Sequence, residues 1–534
     1  MKTFIVHTQR TSTGIRSLLL LIIILMCNPV VAQTPWAKKA AQAVFTLKTF
    51  KTDGQLIGSA NGFFVGENGE ALSCFTPFKG AQRAVVIDAQ GKEWPVDYLL
   101  GANDMYDVVK FKVDTKKAAT LPLAQSAANG SNAWLLPYSV KKTPDCQQGT
   151  ISHAEKFQGD YSYYTLAMQA TDQHVGCPVM NEQGQVLGLW QPSATADAAS
   201  SYAVSATFAN SLSINGLSLN DPALRSTDIA KGLPDKPDEA LLALFVSASV
   251  MNTEQHRDYT DRFIKKFPQV ADGYIYRARQ AVSNNDFTSA DADMQEALKV
   301  SDKIDDTHYQ YAQMMYQKDV YQNDIPFEGW SLERALEESK KASEINPQPL
   351  YRQQQAQIYY AMKKFDEAFR AYEELSKSPL RSADNFYAAA QCKLQQEDKK
   401  AALALLDSAM STFSKPYVKT AAPYLRARAQ LSMECRRYQL AINDMNDLVV
   451  IEPNDATLWA EKASYELRVN LKDQALESGR ECIRLAPGDS DGYLMSGIAL
   501  CLKGEKAEGL QNLQKAKELG NDQAQTFIDK YSAK

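Results

Sequence analysis

The sequence divides by pattern into an all-β first part and an all-α second part, and three observations carry that division. Between residues 36 and 215, short runs rich in β-branched and aromatic residues alternate with Gly, Asn and Asp turns. From residue 238 onward such runs stop, and amphipathic stretches of roughly 12–15 residues with helical spacing follow one another. Within those stretches residues recur at one period: Pro453 and Pro487 are 34 apart, as are Ala441 and Ala475. At 534 residues the chain needs more than one core, because a single core rarely serves more than roughly 250 residues.

Composition is ordinary for a globular protein, with 45% hydrophobic and 23% charged residues and a formal net charge of -5. A mildly acidic chain of this size lacks the basic face that nucleic-acid binding needs. Residues 1–32 read as a secretory signal peptide: Lys2, Arg10 and Arg16 precede the apolar run Leu18 to Met26, and Val30-Val31-Ala32 supplies the small residue at a cleavage point. Cleavage after Ala32 removes those three cations and no acid, taking the charge from -5 to -8. The apolar run is short for a bilayer span. Cys27 offers lipidation as the alternative, but the bulky Met26 before it argues against that route. The expectation is an exported protein, periplasmic or extracellular, with no transmembrane segment in the mature chain. Seven cysteines follow the leader (Cys74, Cys146, Cys177, Cys392, Cys435, Cys482 and Cys501), with no CxxC pair and no zinc-ligand spacing. Neither a metal nor a cofactor is expected.

In the first part, Val44 to Phe50, Gly62 to Val65 and Ala84 to Asp88 are strand-like runs, and their spacing argues for a barrel or sandwich. Five longer motifs follow in order. Gly58-Ser59-Ala60-Asn61-Gly62-Phe63-Phe64-Val65 and Glu67-Asn68-Gly69-Glu70-Ala71-Leu72-Ser73 form a hairpin. Next come Leu72-Ser73-Cys74-Phe75-Thr76-Pro77-Phe78-Lys79-Gly80-Ala81 and the strand headed by Asn103-Asp104-Met105-Tyr106-Asp107. Thr171-Asp172-Gln173-His174-Val175-Gly176-Cys177-Pro178-Val179-Met180 leads through the turn Asn181-Glu182-Gln183-Gly184 to a second apolar strand. Ser201 to Ala209 closes the set. Together, from about residue 40 to 212, these motifs resemble the trypsin-like serine proteases, above all the HtrA-type branch.

That resemblance implies a trypsin-like double β-barrel over residues 36–215. It also implies where the catalytic triad would stand. The general-base His position falls on Thr76, the catalytic Asp on Asp107, and the nucleophile Ser, three residues before Pro178, on Val175. Valine has no nucleophilic atom, and threonine takes no proton near neutral pH, so no catalytic residue is assigned and the three positions are read as vestigial. Asp107 can equally cap a turn at the head of a strand. The family's oxyanion-hole glycine, two residues before the nucleophile, is Gln173, which makes the required backbone conformation costly. Cys177 and His174 flank the nucleophile position and leave a relocated thiol site as an alternative to a buried cysteine. Residues 216–237, rich in Pro, Asp and Ser from Asp221 to Pro237, read as a linker, which leaves no room for the PDZ domain of HtrA proteins.

In the second part, Trp459 lies six residues after Pro453 and Tyr493 six after Pro487. An aromatic, small residues on two helices and a closing Pro at a 34-residue period resemble the tetratricopeptide repeat. The resemblance implies an all-α solenoid over residues 238–534: about eight repeats, a degenerate first one ending in Phe267-Pro268, an insertion around Asn323 to Trp330, and a capping helix from Asn521 to Tyr531. In that family the first helix of each repeat lines a concave face. On this register the face includes Gln353, Gln357, Tyr387, Gln391, Arg426 and Gln430, alongside Arg279, Tyr360 and Arg468. Glutamine can donate to and accept from a peptide backbone, and Tyr and Arg anchor interfaces, although the same residues also suit a solvated helix face. The combined expectation is an exported protein-binding scaffold, an inactive protease-like domain joined to a peptide-binding array. Two alternatives stand beside it: a divergent serine or Cys177-based endopeptidase that recruits substrate through its repeats, and a structural subunit of an envelope complex.

Overall fold

The computed structural model describes residues 34–141, 144–168, 170–193 and 200–533. The expected signal peptide, with Cys27, lies outside the described residues. Two compact units divide the chain, the first ending at Pro268 and the second beginning at Gln269.

The first unit opens with a helical turn, α1 (Ala37–Ala40), and continues as two closed six-stranded barrels. The first barrel contains β1 (Val44–Phe50), β2 (Leu56–Phe64), β3 (Glu70–Ser73), β4 (Arg83–Ile87), β5 (Glu93–Asn103) and β6 (Val108–Val113), in the order β1-β2-β3-β6-β5-β4. The second contains β7 (Asn132–Leu135), β8 (Gln147–Phe157), β9 (Tyr161–Ala167), β10 (Pro178–Met180), β11 (Val186–Gln191) and β12 (Ser201–Ser205), in the order β10-β11-β12-β9-β8-β7. All neighbouring pairs are antiparallel.

The period-2 pattern that marks the strands also fills the barrels. Phe45 and Leu47 of β1 point inward with Phe64, Phe78, Val86 and Phe111. Their neighbours Val44 and Phe63 point the other way, toward the second barrel, where they meet Trp134, Met180, Val204 and Phe208. Closing each sheet removes the edges that an open antiparallel sheet would expose.

Residues 216–237 are not a free tether. Ala223 and Leu224 of α2 (Pro222–Arg225), together with Ile229, enter the first barrel's core. The Leu99 amide donates to the Ala230 carbonyl at 2.8 Å, and the Gly232 amide returns to Leu99 at 2.7 Å. The polar composition that suggested a linker hides three apolar residues at the right spacing to close the barrel. Helices α3 (Pro237–Val250) and α4 (Thr253–Lys266) fall in the same unit. They are tied to it by the Tyr259 hydroxyl on the Gly232 carbonyl and by Arg262 Nη1 on the Lys231 carbonyl.

The second unit is a run of antiparallel helix pairs, each packed on the next. The pairs are α5 (Ala271–Ser283) with α6 (Phe287–Val300), α7 (Ile304–Tyr321) with α8 (Leu332–Ile345), and α9 (Pro349–Ala361) with α10 (Phe365–Leu375). They continue as α11 (Ala383–Gln395) with α12 (Lys399–Met410), α13 (Ala422–Glu434) with α14 (Tyr438–Ile451), α15 (Ala456–Arg468) with α16 (Lys472–Leu485), and α17 (Ser490–Lys503) with α18 (Lys506–Glu518). The run closes with α19 (Ala524–Ser532). The turn inside a pair recurs in one conformation: Lys363 and Glu397, 34 residues apart, and Arg436, Asn470 and Gly504, again at 34, all have positive φ. A left-handed residue stops the first helix and lets the second fold back on it. Small residues then set the spacing, since a Cβ on Gly479 would lie 2.4 Å from Ser496 Oγ. The inserted loop before α8 folds back as an aromatic clip: Trp330 meets Tyr311 and Phe327 edge to face and Phe287 at a tilt, and it donates to Asp291 Oδ1 at 2.7 Å. No helix among the described residues is long and apolar enough to cross a membrane.

Candidate functional site

The loop between β9 and β10 carries the nucleophile position. Thr171 caps a short helical turn over Asp172–His174, with the His174 ring nitrogen folded back onto the Thr171 backbone amide at 3.2 Å. Val175 follows, half-buried against the core of the second barrel. Gly176 has φ +80, and a Cβ there would lie 2.2 Å from the Asn61 carbonyl oxygen, so only glycine fits this crossing.

Asn61 of β2 fastens the whole loop. Its amide donates to the Val175 carbonyl at 2.7 Å, and its Nδ2 donates to the Gln173 carbonyl at 2.7 Å and to Val175 at 3.2 Å. Its own carbonyl accepts from Ser73 Oγ at 2.6 Å. Sequence reasoning missed this residue; the signal was a polar side chain in an otherwise apolar run.

The base and acid positions sit together. The Thr76 backbone amide donates to Asp107 Oδ1 at 2.6 Å. Asp107 adopts φ +51, a turn conformation that asparagine and aspartate tolerate best among residues with a Cβ. Cys74 is completely buried beside them, and its thiol is pushed well above its usual range, first by burial and then by the Asp107 carboxylate. Val175 joins the group indirectly, through Asn61 and Ser73, the latter three residues before Thr76.

Two backbone amides would have to point at a developing oxyanion, those of Gln173 and Val175. The Val175 amide donates instead to the Asp172 carbonyl at 3.2 Å. In a trans peptide the carbonyl and the following N–H point in opposite directions. With the Asp172 carbonyl turned toward Val175, the Gln173 N–H therefore points away. One donor is engaged and the other is turned out. A thiol substitute fares no better: Cys177 is fully buried and raised to about 12 by that burial, the opposite of an activated thiolate. His174 sits edge-on to Trp190 at 6.3 Å and turns its ring nitrogen to Thr171. Among the described residues no group of three or more His, Cys, Asp or Glu side chains could hold a metal ion.

Residues 60–189 match the family model of the trypsin-like peptidase domain. The barrel unit has the trypsin-like peptidase fold. It is similar to the active form of the Rv3671c protease of M. tuberculosis, at 17% identity over 35% of this chain and 85% of that one, with a TM-score of 0.31. It is also similar to the HtrA-type protease AlgW solved with a tripeptide, at 19% identity over 33% of this chain and 60% of that one, with a TM-score of 0.29. The chain further matches the small glutamine-rich tetratricopeptide repeat-containing protein 2 of Saccharomyces cerevisiae, 26% identical over 106 residues. That match covers 20% of this chain, and the chain spans about a third of the curated relative, 31% of its length. A trypsin-like peptidase domain followed by a helical repeat module is the architecture these findings support.

On the helical module, the sequence-predicted residues fall on the first helices of three successive pairs. Gln353 and Gln357 lie on α9, Tyr387 and Gln391 on α11, and Arg426 and Gln430 on α13. Contacts run between these helices. Gln353 Nε2 donates to Asn385 at 3.4 Å, the Tyr387 and Tyr424 rings meet edge to face at 5.8 Å, and Arg426 Nη1 donates to Glu461 Oε2 at 2.9 Å. Arg426 thus already holds a carboxylate. All six are half-buried except Gln430, which is exposed. The sequence placed Arg279 on this face but missed the glutamines of the next first helix, α7. A cavity of about 350 Å³ is lined by Arg279 of α5 and by Gln310, Gln313 and Gln317 of α7. Arg279 Nη2 donates to Gln310 at 2.7 Å, and Gln354 Nε2 reaches Gln313 at 3.3 Å. The insertion before α8 lengthens this repeat and breaks the spacing by which these glutamines would have been found.

Proposed function

We propose that the protein is an exported binding scaffold, in which a catalytically silent trypsin-like domain is joined to a helical array that takes an extended or helical peptide segment of a partner protein. The observation that carries the first half is the state of position 175. It offers no nucleophilic atom, and its amide is engaged by the Asp172 carbonyl rather than free for an oxyanion. The complete burial of Cys177, which also pushes its thiol up, argues against a relocated thiol peptidase. The second half rests on the glutamine-rich series of first helices, where amides can pair with a peptide backbone in either direction. The export part of the reading rests on residues 1–32 of the sequence.

Incubation of the protein with a fluorophosphonate probe and with unfolded casein is expected to give neither labelling nor cleavage. Labelling abolished by substituting one serine of residues 36–215 would overturn the silent-domain reading. Binding is tested by pull-down from an envelope extract, followed by Tyr387→Ala and Gln391→Ala with the captured partner. Loss of a hot-spot tyrosine typically costs about 2 kcal/mol, near thirtyfold in affinity. Both variants binding like the parent would remove the first-helix face from consideration.

A further inference from the structure

Below the first barrel, the segment from Leu219 to Lys231 and the helix pair α3–α4 enclose a cavity of about 200 Å³. Its walls are half apolar, from Leu219, Leu224, Ile229, Val250 and Met251. The rest is polar or charged. Lys231 is 9% exposed and turns its ammonium into this region, where it donates to the Thr227 carbonyl. Arg262 lines the same cavity: Nη1 donates to the Lys231 carbonyl at 3.0 Å, the guanidinium is ion-paired with Asp258 at 3.0 Å, and it lies 5.5 Å over the Tyr259 ring. Arg225 stands at the rim.

Two cations are therefore set against one small space, and each raises the cost of the other. Two acids stand nearby, and Asp228 favours the Lys231 ammonium more than Arg262 opposes it, without restoring what burial removes. Asp258 is exposed and engaged by Arg262, while Asp228 is exposed and accepts from Gln82 at 3.1 Å. The lining carries Lys231 and Arg262 against Asp228 and Asp258, and Arg225 at the rim leaves an excess of one positive charge. Burying an ammonium without a counter-charge is costly, and it persists where something offsets it.

We infer that this cavity binds a small monocarboxylate with a short branched aliphatic body, its carboxylate meeting the Lys231 ammonium and the Arg262 guanidinium and its hydrocarbon lying against Leu224, Ile229 and Val250. The size fits about eight to ten non-hydrogen atoms at the roughly 20 Å³ that each occupies at interior packing density. Burial pushes the Lys231 amine down to about 8, with Asp228 working against that fall and Arg262 adding to it, and a carboxylate beside it would favour its charged form. Nothing in the peptide-binding reading requires this site.

The probe is 4-methylpentanoate, with 4-methylpentanamide as its uncharged twin, each titrated into the full chain and followed by thermal unfolding and calorimetry. Acid at about ten times its dissociation constant is expected to raise the melting temperature of the barrel transition by roughly 3 °C, with no shift from the amide. Lys231→Met is expected to melt higher than the parent without ligand and to lose the response to the acid. Lys231→Gln, which keeps a polar group for the Thr227 carbonyl, is expected to lose it as well. Equal shifts with acid and amide, no shift with either, or an undiminished response in both variants would each overturn the inference.

Discussion

Putting the triad back by name should not put back the chemistry. Consider the double variant Thr76→His, Val175→Ser. A histidine at 76 would have its orienting acid in place, because Asp107 already accepts from the backbone amide of that residue at 2.6 Å. What stays missing is the oxyanion hole. The Val175 amide is tied to the Asp172 carbonyl at 3.2 Å, and the Gln173 N–H points away in consequence. The Gln173 carbonyl is further fixed by Asn61 Nδ2 at 2.7 Å. Loss of one oxyanion donor typically costs 10²–10³ in rate, so loss of both is worth roughly 10⁴–10⁶, or about 5–8 kcal/mol of barrier. The assay is active-site titration with a fluorophosphonate probe, alongside turnover of a peptide anilide. The double variant is expected to be indistinguishable from the parent. Adding Gln173→Gly, which lets the 172–173 peptide turn over, is expected to raise labelling by about a hundredfold or more. A double variant that labels as fast as an active serine hydrolase would refute the reasoning, because the turn would then rearrange at almost no cost.

Trp330→Ala empties the middle of the aromatic clip and should destabilise the helical unit by about 3–5 kcal/mol; Trp330→Phe, which loses the indole bond to Asp291 and part of the buried ring, should cost about 1–2 kcal/mol, both read by denaturant melts. Lys231 is lowered from 10.5 to about 8 by burial, so between those values the unfolded chain binds a proton that the folded chain does not, and this group's contribution to stability rises with pH. The parent is therefore expected to gain on Lys231→Met by about 3 kcal/mol between pH 8 and 10.5, with the variant the more stable at pH 7; parallel pH curves for the two chains would contradict this. Gly176→Ala should destabilise the barrel unit by at least about 2 kcal/mol, since it forces a Cβ into the left-handed region and onto the Asn61 carbonyl; a change under about 0.5 kcal/mol would mean that the loop is free to move.

The barrels were legible because their information is local and repeated. Alternation in Val44–Phe50 and the Asn181–Gly184 turn each specify a strand or a hairpin on their own, and the ordered motifs specify how they join. The helix pairs were legible for the same reason, through a period that survives divergence because each pair meets only its neighbours. What was not legible depends on contacts between distant residues. The segment from Asp221 to Pro237 looks like a tether by composition, yet Leu224 and Ile229 complete the first barrel's core, which no local pattern announces. The role of Asn61 is likewise invisible until β2 is laid beside the loop more than a hundred residues away. The glutamines of α7 were lost for a plainer reason, an insertion that shifts the register on which the other first helices were aligned.

The same contacts show which positions of this protease-like loop do structural work whether or not any chemistry is present. In the loop around Val175, the groups that match the family pattern are those that do structural work here. Gly176 is needed where a Cβ would strike the Asn61 carbonyl, Asp107 is needed to cap the turn at Thr76, and Gly184 has φ +74 in the turn that joins β10 to β11. The positions that differ from the family pattern, Thr76, Val175 and Gln173, are those whose side chain or backbone freedom would serve only the reaction. Substitution at the first group would break packing and hydrogen bonds; substitution at the second leaves them intact, and valine adds apolar contact with the second barrel's core. Stability alone is a sufficient reason for the first group to be present. The matching glycines and aspartate therefore carry no weight as signs of catalysis, whereas the identity of residue 175 carries a great deal.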